Sequence, residues 1–159
     1  MKTITNEQGK LTHEASKDAV AFDVVDLGPF DNNRNDFKAI NDRGQGVGIS
    51  LNPETGRAEA FLDESGNRTS LGTLGGSFSI ARDINNQGEI VGGSLTPGDV
   101  SFHGFLYRNQ RIYDLNQLLT QSSEEWELIQ AVGINNKGEI LGIGAHDGED
   151  HIVLLRPRS

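Results

Sequence analysis

The chain has 159 residues, 23 acidic and 14 basic side chains, a formal net charge of −9 and no cysteine. This length suits one domain with a substantial core. The net negative charge and the lack of any cluster of Lys or Arg predict no nucleic acid partner, because phosphate binding depends on concentrated positive charge. The lack of cysteine excludes disulfides, thiolate nucleophiles and cysteine metal sites. Glycine is abundant, at 20 residues against 4 prolines, which predicts many tight turns.

The N-terminal residues 1–19 are polar and show no hydrophobic period, so we predict a flexible segment there. The given chain has no apolar run that resembles a signal-peptide core or a membrane span, so we expect a soluble protein with no membrane partner. We predict that residues 20–159 form a single all-β repeat domain.

Three segments of the chain share one pattern: residues 37–50, 81–94 and 131–144. The common core is Ile-Asn-x-x-Gly-x-x-x-Gly, anchored on Asn41, Asn85 and Asn135, so the period is 44 and then 50 residues. Each anchor predicts a β-hairpin, because Asn and Gly tolerate the positive φ of tight turns and apolar residues flank them on both sides.

A third strand is predicted after each hairpin, and a fourth follows it in the first two units. The third strands are at residues 58–62, 103–107 and 151–155, and the fourth strands are at 68–72 and 111–115. The third unit lacks a fourth strand, but residues 22–28 match the fourth strands of the other two units. We therefore expect the N-terminal strand to complete the C-terminal repeat, which would remove free sheet edges.

Four short strands in each 40–50-residue repeat are typical of a propeller blade. Propellers typically have four to eight blades, so three units favour a homo-oligomer, with a six-bladed dimer first. A β-trefoil-like three-fold barrel is the alternative fold, and the chain could also be a fragment of a longer array.

Residues 71–92, which read LGTLGGSFSIARDINNQGEIVG, carry the clearest copy of the repeat. They resemble the bacterial HAF repeat, a family of extracellular repeat proteins with the pattern Leu-Gly-x-Leu-Gly-Gly, Ala-x-x-Ile-Asn-x-x-Gly and Val-Gly. The first and third units keep only the Ile-Asn-x-x-Gly-x-x-x-Gly part. The resemblance implies a repeat scaffold and an extracellular location, and it implies no catalytic motif.

Four residues are candidates for a ligand surface. If the first strand of each unit lines a channel, Lys38, Arg82 and Asp83 would lie near one of its mouths. Trp126 stands in the longest insertion, residues 118–128, where it is either an aromatic anchor for a partner or sugar or a part of the core.

No catalytic, cofactor or metal site is predicted. Asp83, Asn85 and Gln87 alternate as in a calcium loop, but Ser94 stands where that loop requires Glu. His146 and His151 flank an acidic turn without the spacing of a zinc pair.

These features predict a non-catalytic recognition module that binds a protein or a glycan through loops of the repeat scaffold. Two alternatives stay open. One is a small hydrolase whose carboxylates converge at a channel, and the other is a purely structural, self-assembling repeat unit.

Overall fold

A computed structural model of the chain describes residues 20–27 and 36–158. The predicted flexible segment, residues 1–19, lies outside the described residues. The strands are β1 (Asp36–Ile40), β2 (Gly46–Asn52), β3 (Arg57–Glu64), β4 (Asn67–Gly72), β5 (Ser79–Ile84), β6 (Ile90–Leu95), β7 (Phe102–Arg108), β8 (Arg111–Asp114), β9 (Glu127–Ile134), β10 (Ile140–His146) and β11 (Glu149–Leu155). Three single-turn 3-10 helices lie between strands: η1 (Pro97–Asp99) between β6 and β7, and η2 (Leu115–Gln117) and η3 (Gln121–Ser123) between β8 and β9.

The strands form three antiparallel sheets in chain order. The first sheet is β1-β2-β3-β4, the second is β5-β6-β7-β8, and the third is β11-β10-β9. This confirms the all-β prediction and places each repeat core on the first hairpin of its own sheet. Within the described ranges there is no α-helix, and no helix there is long and apolar enough to cross a bilayer.

In the hairpin turns, glycine and asparagine have different roles. The positive φ belongs to glycine, at 75°, 81° and 77° in Gly44, Gly88 and Gly138. The anchor asparagine instead folds its side chain over the turn: Asn85 Oδ1 accepts hydrogen bonds from the backbone N–H groups of Gln87 (3.1 Å) and Glu89 (2.9 Å). This is the turn-mimicking bond for which Asn is favoured, and Asn41 and Asn135 form it as well.

Steric crowding explains why the last position of the repeat motif, at Gly48, Gly92 and Gly142, is glycine. The first strand of every sheet carries a β-bulge opposite this glycine. A Cβ atom would overlap a carbonyl oxygen of the bulged strand, that of Asp36 at Gly48, of Ile80 at Gly92 and of Gln130 at Gly142. The repeat therefore keeps glycine where the bulge brings the two backbones together.

Three apolar clusters lie between neighbouring sheets, two between the first and second sheets and one between the second and third. Phe105 and Ile90 of the second sheet pack with Val47 and Ala60 of the first. On its other side, the second sheet meets the third in a cluster that comprises Val91, Leu115, Leu128, Ala131 and Ile140. The core is thus a pair of interfaces with the second sheet in the middle.

The sheets follow one another in a row. Strands β2, β3 and β1 pack on β5, and β5, β6 and β7 pack on β9. Among the described residues, no strand of the first sheet packs extensively on a strand of the third. The two outer sheets therefore occupy the two ends of the row.

The third sheet has three strands, and the predicted fourth strand is not formed in the single chain. Residues 20–27 have no strand structure and are exposed, with Phe22 at 85% and Val24 at 94%; Gly28 lies outside the described residues. The position of this segment explains the difference. It leads into β1 at the first-sheet end of the row, whereas the incomplete sheet is at the opposite end.

Candidate functional site

The three hairpin turns are joined by their anchor residues. Asn41 Nδ2 donates to the carbonyl oxygen of Asn85 at 2.9 Å, and Asn85 Nδ2 donates to that of Asn135 at 3.0 Å. Each of these amides also donates to the side chain four residues on, as Asn85 does to Glu89 Oε1 at 2.8 Å. The side chains of Asn41 and Asn85 thus each close their own turn and link it to the turn of the next sheet.

The residues after the anchors form a second row of bonds. The backbone N–H of Asp42 donates to Asn86 Oδ1 at 2.9 Å, and that of Asn86 donates to Asn136 Oδ1 at 2.8 Å. We call the two rows together the asparagine ladder. It comprises Asn41, Asp42, Asn85, Asn86, Asn135 and Asn136.

The ladder changes character at its third-sheet end. Asn41 and Asn85 are buried, but Asn135 is exposed because no further turn covers it. Asn135 Nδ2 donates to Glu139 at 2.9 Å, and this hydrogen bond, followed by the bond and charge of Arg156, lowers the pKa of the Glu139 carboxyl.

The β-bulges place three residues at equivalent positions on adjacent strands. The extra residue of the bulge is Lys38 in β1, Arg82 in β5 and Val132 in β9. Since β1 packs on β5 and β5 packs on β9, these residues form a row across the first strands of the sheets. A bulge re-aims a side chain from the regular pleat, and we call these three residues the bulge row.

Two of the four predicted ligand residues lie in this row. Lys38 Nζ forms an exposed ion pair with Asp36 at 2.8 Å. Arg82 is partly buried, and its Nε is buried without a hydrogen-bond partner among the described residues. An unpaired buried N–H is costly, so Arg82 is the residue whose hydrogen-bonding capacity the fold leaves most clearly unused.

Asp83, the third predicted ligand residue, lies beside the row but is engaged in the fold. Its Oδ2 accepts a hydrogen bond from the backbone N–H of Ile134 at 2.8 Å, and its Oδ1 accepts one from Ile84 at 2.9 Å. The Asp83 carboxylate therefore joins the second sheet to the third.

Trp126 lies apart from the other three predicted residues. It precedes β9, about 20 Å along the strand from the bulge at Val132 by strand rise. Its ring stacks on His146 with 4.6 Å between centroids, meets His151 edge-on at 5.3 Å, and packs against the cluster between the second and third sheets. The tryptophan is both a core residue and part of a partly exposed aromatic group.

Sequence reasoning missed a partly buried contact between a histidine and a carboxylate on the second sheet. His103 Nδ1 lies 2.8 Å from Asp114 Oδ2, and His103 Nε2 lies 3.3 Å from Glu127 Oε1. The available signal was that His103 and Asp114 lie on adjacent predicted strands. Asp114 pairs with Phe105, so His103 is its diagonal neighbour on the same face of the sheet. No group of three metal-binding side chains occurs within residues 20–27 and 36–158.

The described residues define an all-β repeat protein with three linked sheets and a partly basic bulge row. Comparisons with protein-family models, with curated proteins and with solved structures found no match.

Proposed function

We propose that the chain is a non-catalytic recognition module, built as an arc of propeller blades, that binds an anionic group of a protein or glycan at the bulge row. The propeller is favoured over the trefoil because the sheets pack in chain order and the outer two share no extensive strand contact among the described residues. The resemblance to HAF repeats suggests that binding takes place outside the cell.

The observation that carries this proposal is the state of Arg82. Its buried Nε has no partner in the described part of the chain, and leaving such a donor unpaired costs about 1–3 kcal/mol. A carboxylate or sulfate that drew the Arg82 side chain outward would give Nε a partner, through the charge-assisted, bidentate contact that arginine makes best. Lys38 at the equivalent bulge adds a second cationic group, which is paired with Asp36 in the free chain.

A glycan array with uronic-acid and sulfated sugars, together with an array of acidic peptides, tests this function. We expect binding by the wild type and a loss of at least about tenfold in affinity for Arg82→Gln, the usual order for a charged hydrogen bond. Arg111→Gln is the matched control, because it removes the same charge from an exposed position on β8. Equal binding by Arg82→Gln and the wild type would contradict the proposal.

No contact among the described residues favours the hydrolase alternative. Buried Glu59 accepts hydrogen bonds from Asn52 and Ser70, and buried Asp63 accepts them from Gly66 and Arg68. These carboxylates hold turns and neighbouring strands of the first sheet together.

A further inference from the structure

The third sheet has an open, apolar edge. Strand β11 pairs with β10 on one side, and no described strand pairs with its other side. Its residues Ile152 and Leu154 are exposed. Two grooves, of about 540 and 340 Å³, include residues of this strand in their walls. An open apolar strand edge of this kind is a template for another strand.

Residues 22–27 have the features of the strand that is missing there. Aligned with the fourth strands of the first two sheets, Leu27 takes the place of Leu71 and Leu115, which are 6% and 3% exposed. Leu27 itself is 48% exposed, and the residues before it include Phe22, Val24 and Val25, all strongly exposed. At Leu27 the segment is thus apolar at the position where both counterparts are buried.

The register of the missing pairing follows from the two complete sheets. The glycine opposite each bulge pairs with the third strand in all three sheets, through Gly48 with Phe61, Gly92 with Phe105 and Gly142 with Val153. Phe61 and Phe105 pair outward with Ser70 and Asp114. By equivalence Val153 pairs with Asp26, so Leu154 pairs with Val25 and Arg156 faces Asp23.

This register also predicts a side-chain contact across the new pair of strands. In the first sheet Ser70 donates to Glu59 at 2.8 Å, and in the second Asp114 lies 2.8 Å from His103. Glu59 and His103 each precede the paired phenylalanine by two residues. The residue two before Val153 is His151, so the same geometry places Asp26 beside His151.

The position of this strand in the chain determines which copy supplies it. The next strand after a fourth strand is the first strand of the next sheet: β5 follows β4, and β9 follows β8 after η2 and η3. Residues 22–27 lead into β1, so they belong to the sheet that precedes the first one. Since the first and third sheets of one chain lie at opposite ends of the row, that preceding sheet belongs to a second copy.

The ends of the asparagine ladder point to the same junction. At one end, Asn135 Nδ2 donates to no further turn among the described residues, whereas Asn85 Nδ2 donates to the next turn at 3.0 Å. At the other end, the Asn41 carbonyl oxygen accepts the Gly44 bond of its own turn and, among the described residues, no bond from a preceding turn. The donor end of one copy thus matches the acceptor end of another.

We propose that the chain assembles head to tail with a second copy, and that residues 22–27 of each copy complete the third sheet of the other. The asparagine ladder continues across each junction, from Asn135 of one copy to Asn41 of the second copy. Two such junctions close a ring of six sheets, within the usual propeller range of four to eight. The inference builds on the propeller arrangement proposed above and does not depend on the identity of the ligand.

Cysteine pairing tests the junction directly, because the chain has no cysteine of its own. Val25→Cys and Leu154→Cys are placed on two differently tagged copies, mixed and mildly oxidised. We expect a disulfide that joins the two tags. Val25→Cys with Glu149→Cys is the control and should not cross-link, because Glu149 is five residues from Leu154 on β11, about 16 Å away by strand rise. Equal cross-linking by the control pair would overturn the proposal. So would a disulfide that forms only within single chains when one copy carries both Val25→Cys and Leu154→Cys.

Light scattering over a range of concentrations provides the second measurement. We expect the wild type at twice 17.3 kDa and Leu27→Asp at the monomer mass, while Val20→Asp keeps the wild-type mass because it lies before the paired residues. Both substitutions are at exposed positions of the single chain, so its fold should survive. A wild-type monomer at every concentration, or a mass that keeps rising with concentration, would overturn the two-copy ring.

The proposed junction and the proposed recognition function can be contradicted independently. Loss of ligand binding in Arg82→Gln with the cross-link intact would leave both proposals standing. Ligand binding by wild type without the cross-link would overturn the junction alone, and a cross-linked wild type that binds no anionic probe would overturn the recognition function alone.

Discussion

The side chain of Asn85 uses its full hydrogen-bonding capacity. Its oxygen accepts two backbone N–H groups of its own turn, and its nitrogen donates to Glu89 and to the carbonyl oxygen of Asn135. A primary amide offers two donors and two lone pairs, and the residue is only 3% exposed. Aspartate could not replace it, because it has no donor when ionised and would place a second carboxylate beside Glu89.

We expect Asn85→Ala to lower the free energy of unfolding by about 3 kcal/mol, from several hydrogen bonds worth about 0.5–1.5 kcal/mol each and from turn donors left unpaired. Asn135→Ala is the matched control: it removes the same turn bonds at an exposed position, and we expect it to cost about 1 kcal/mol. Urea unfolding at a concentration where the chain is monomeric measures both. Equal losses would show that the ladder contributes nothing beyond the turns.

At the scale of the strand, each bulge requires a glycine at the facing position of the neighbouring strand. The bulge in β5 brings the carbonyl oxygen of Ile80 against Gly92, so any Cβ there would overlap it. The glycine is required by the close approach of two backbones, since its φ is not among the positive values.

We expect Gly92→Ala to destabilise the fold by about 3 kcal/mol, because the strand must shift to relieve a backbone overlap. Gly133→Ala is the control, since its nearest atom, Asp83 Oδ2, would lie 3.7 Å from the new Cβ, an ordinary contact. Thermal unfolding of the two variants measures the difference. A Gly92→Ala protein as stable as the Gly133→Ala protein would contradict this account of the repeat.

The strands were largely predictable from the sequence, and the links between sheets were not. The third strand of the second unit, expected at residues 103–107, is β7 (Phe102–Arg108), because alternating apolar residues and turn glycines are local signals. The ladder was missed because Asn41 was assigned to its own turn only, whereas its second bond reaches 44 residues along the chain. Asp83 was predicted as a ligand residue from its place on the first strand of its unit, and nothing local showed that it also accepts the N–H of Ile134.

At the scale of the whole molecule, the row of sheets makes stability uneven. The second sheet has a neighbour on both sides, and β6 is buried along almost its full length. The third sheet has one neighbour, and β11 is mostly exposed. In repeat architectures, stability is approximately a sum over units and nearest-neighbour interfaces, so the end unit with the open edge should open most readily.

Hydrogen exchange measures this gradient strand by strand. In dilute, monomeric protein we expect the amides of β6 to exchange slowest and those of β11 to exchange fastest among the strands, because outward-facing N–H groups on an open edge have no partner. At concentrations where two copies associate, protection should rise on β11 and on residues 22–27 and stay unchanged on β6, since each junction pairs those two segments. Leu27→Asp should abolish the rise and Val20→Asp should not. If β11 were as protected as β6 in the monomer, its outer edge would already be covered within one chain, and the second copy would have no strand to complete.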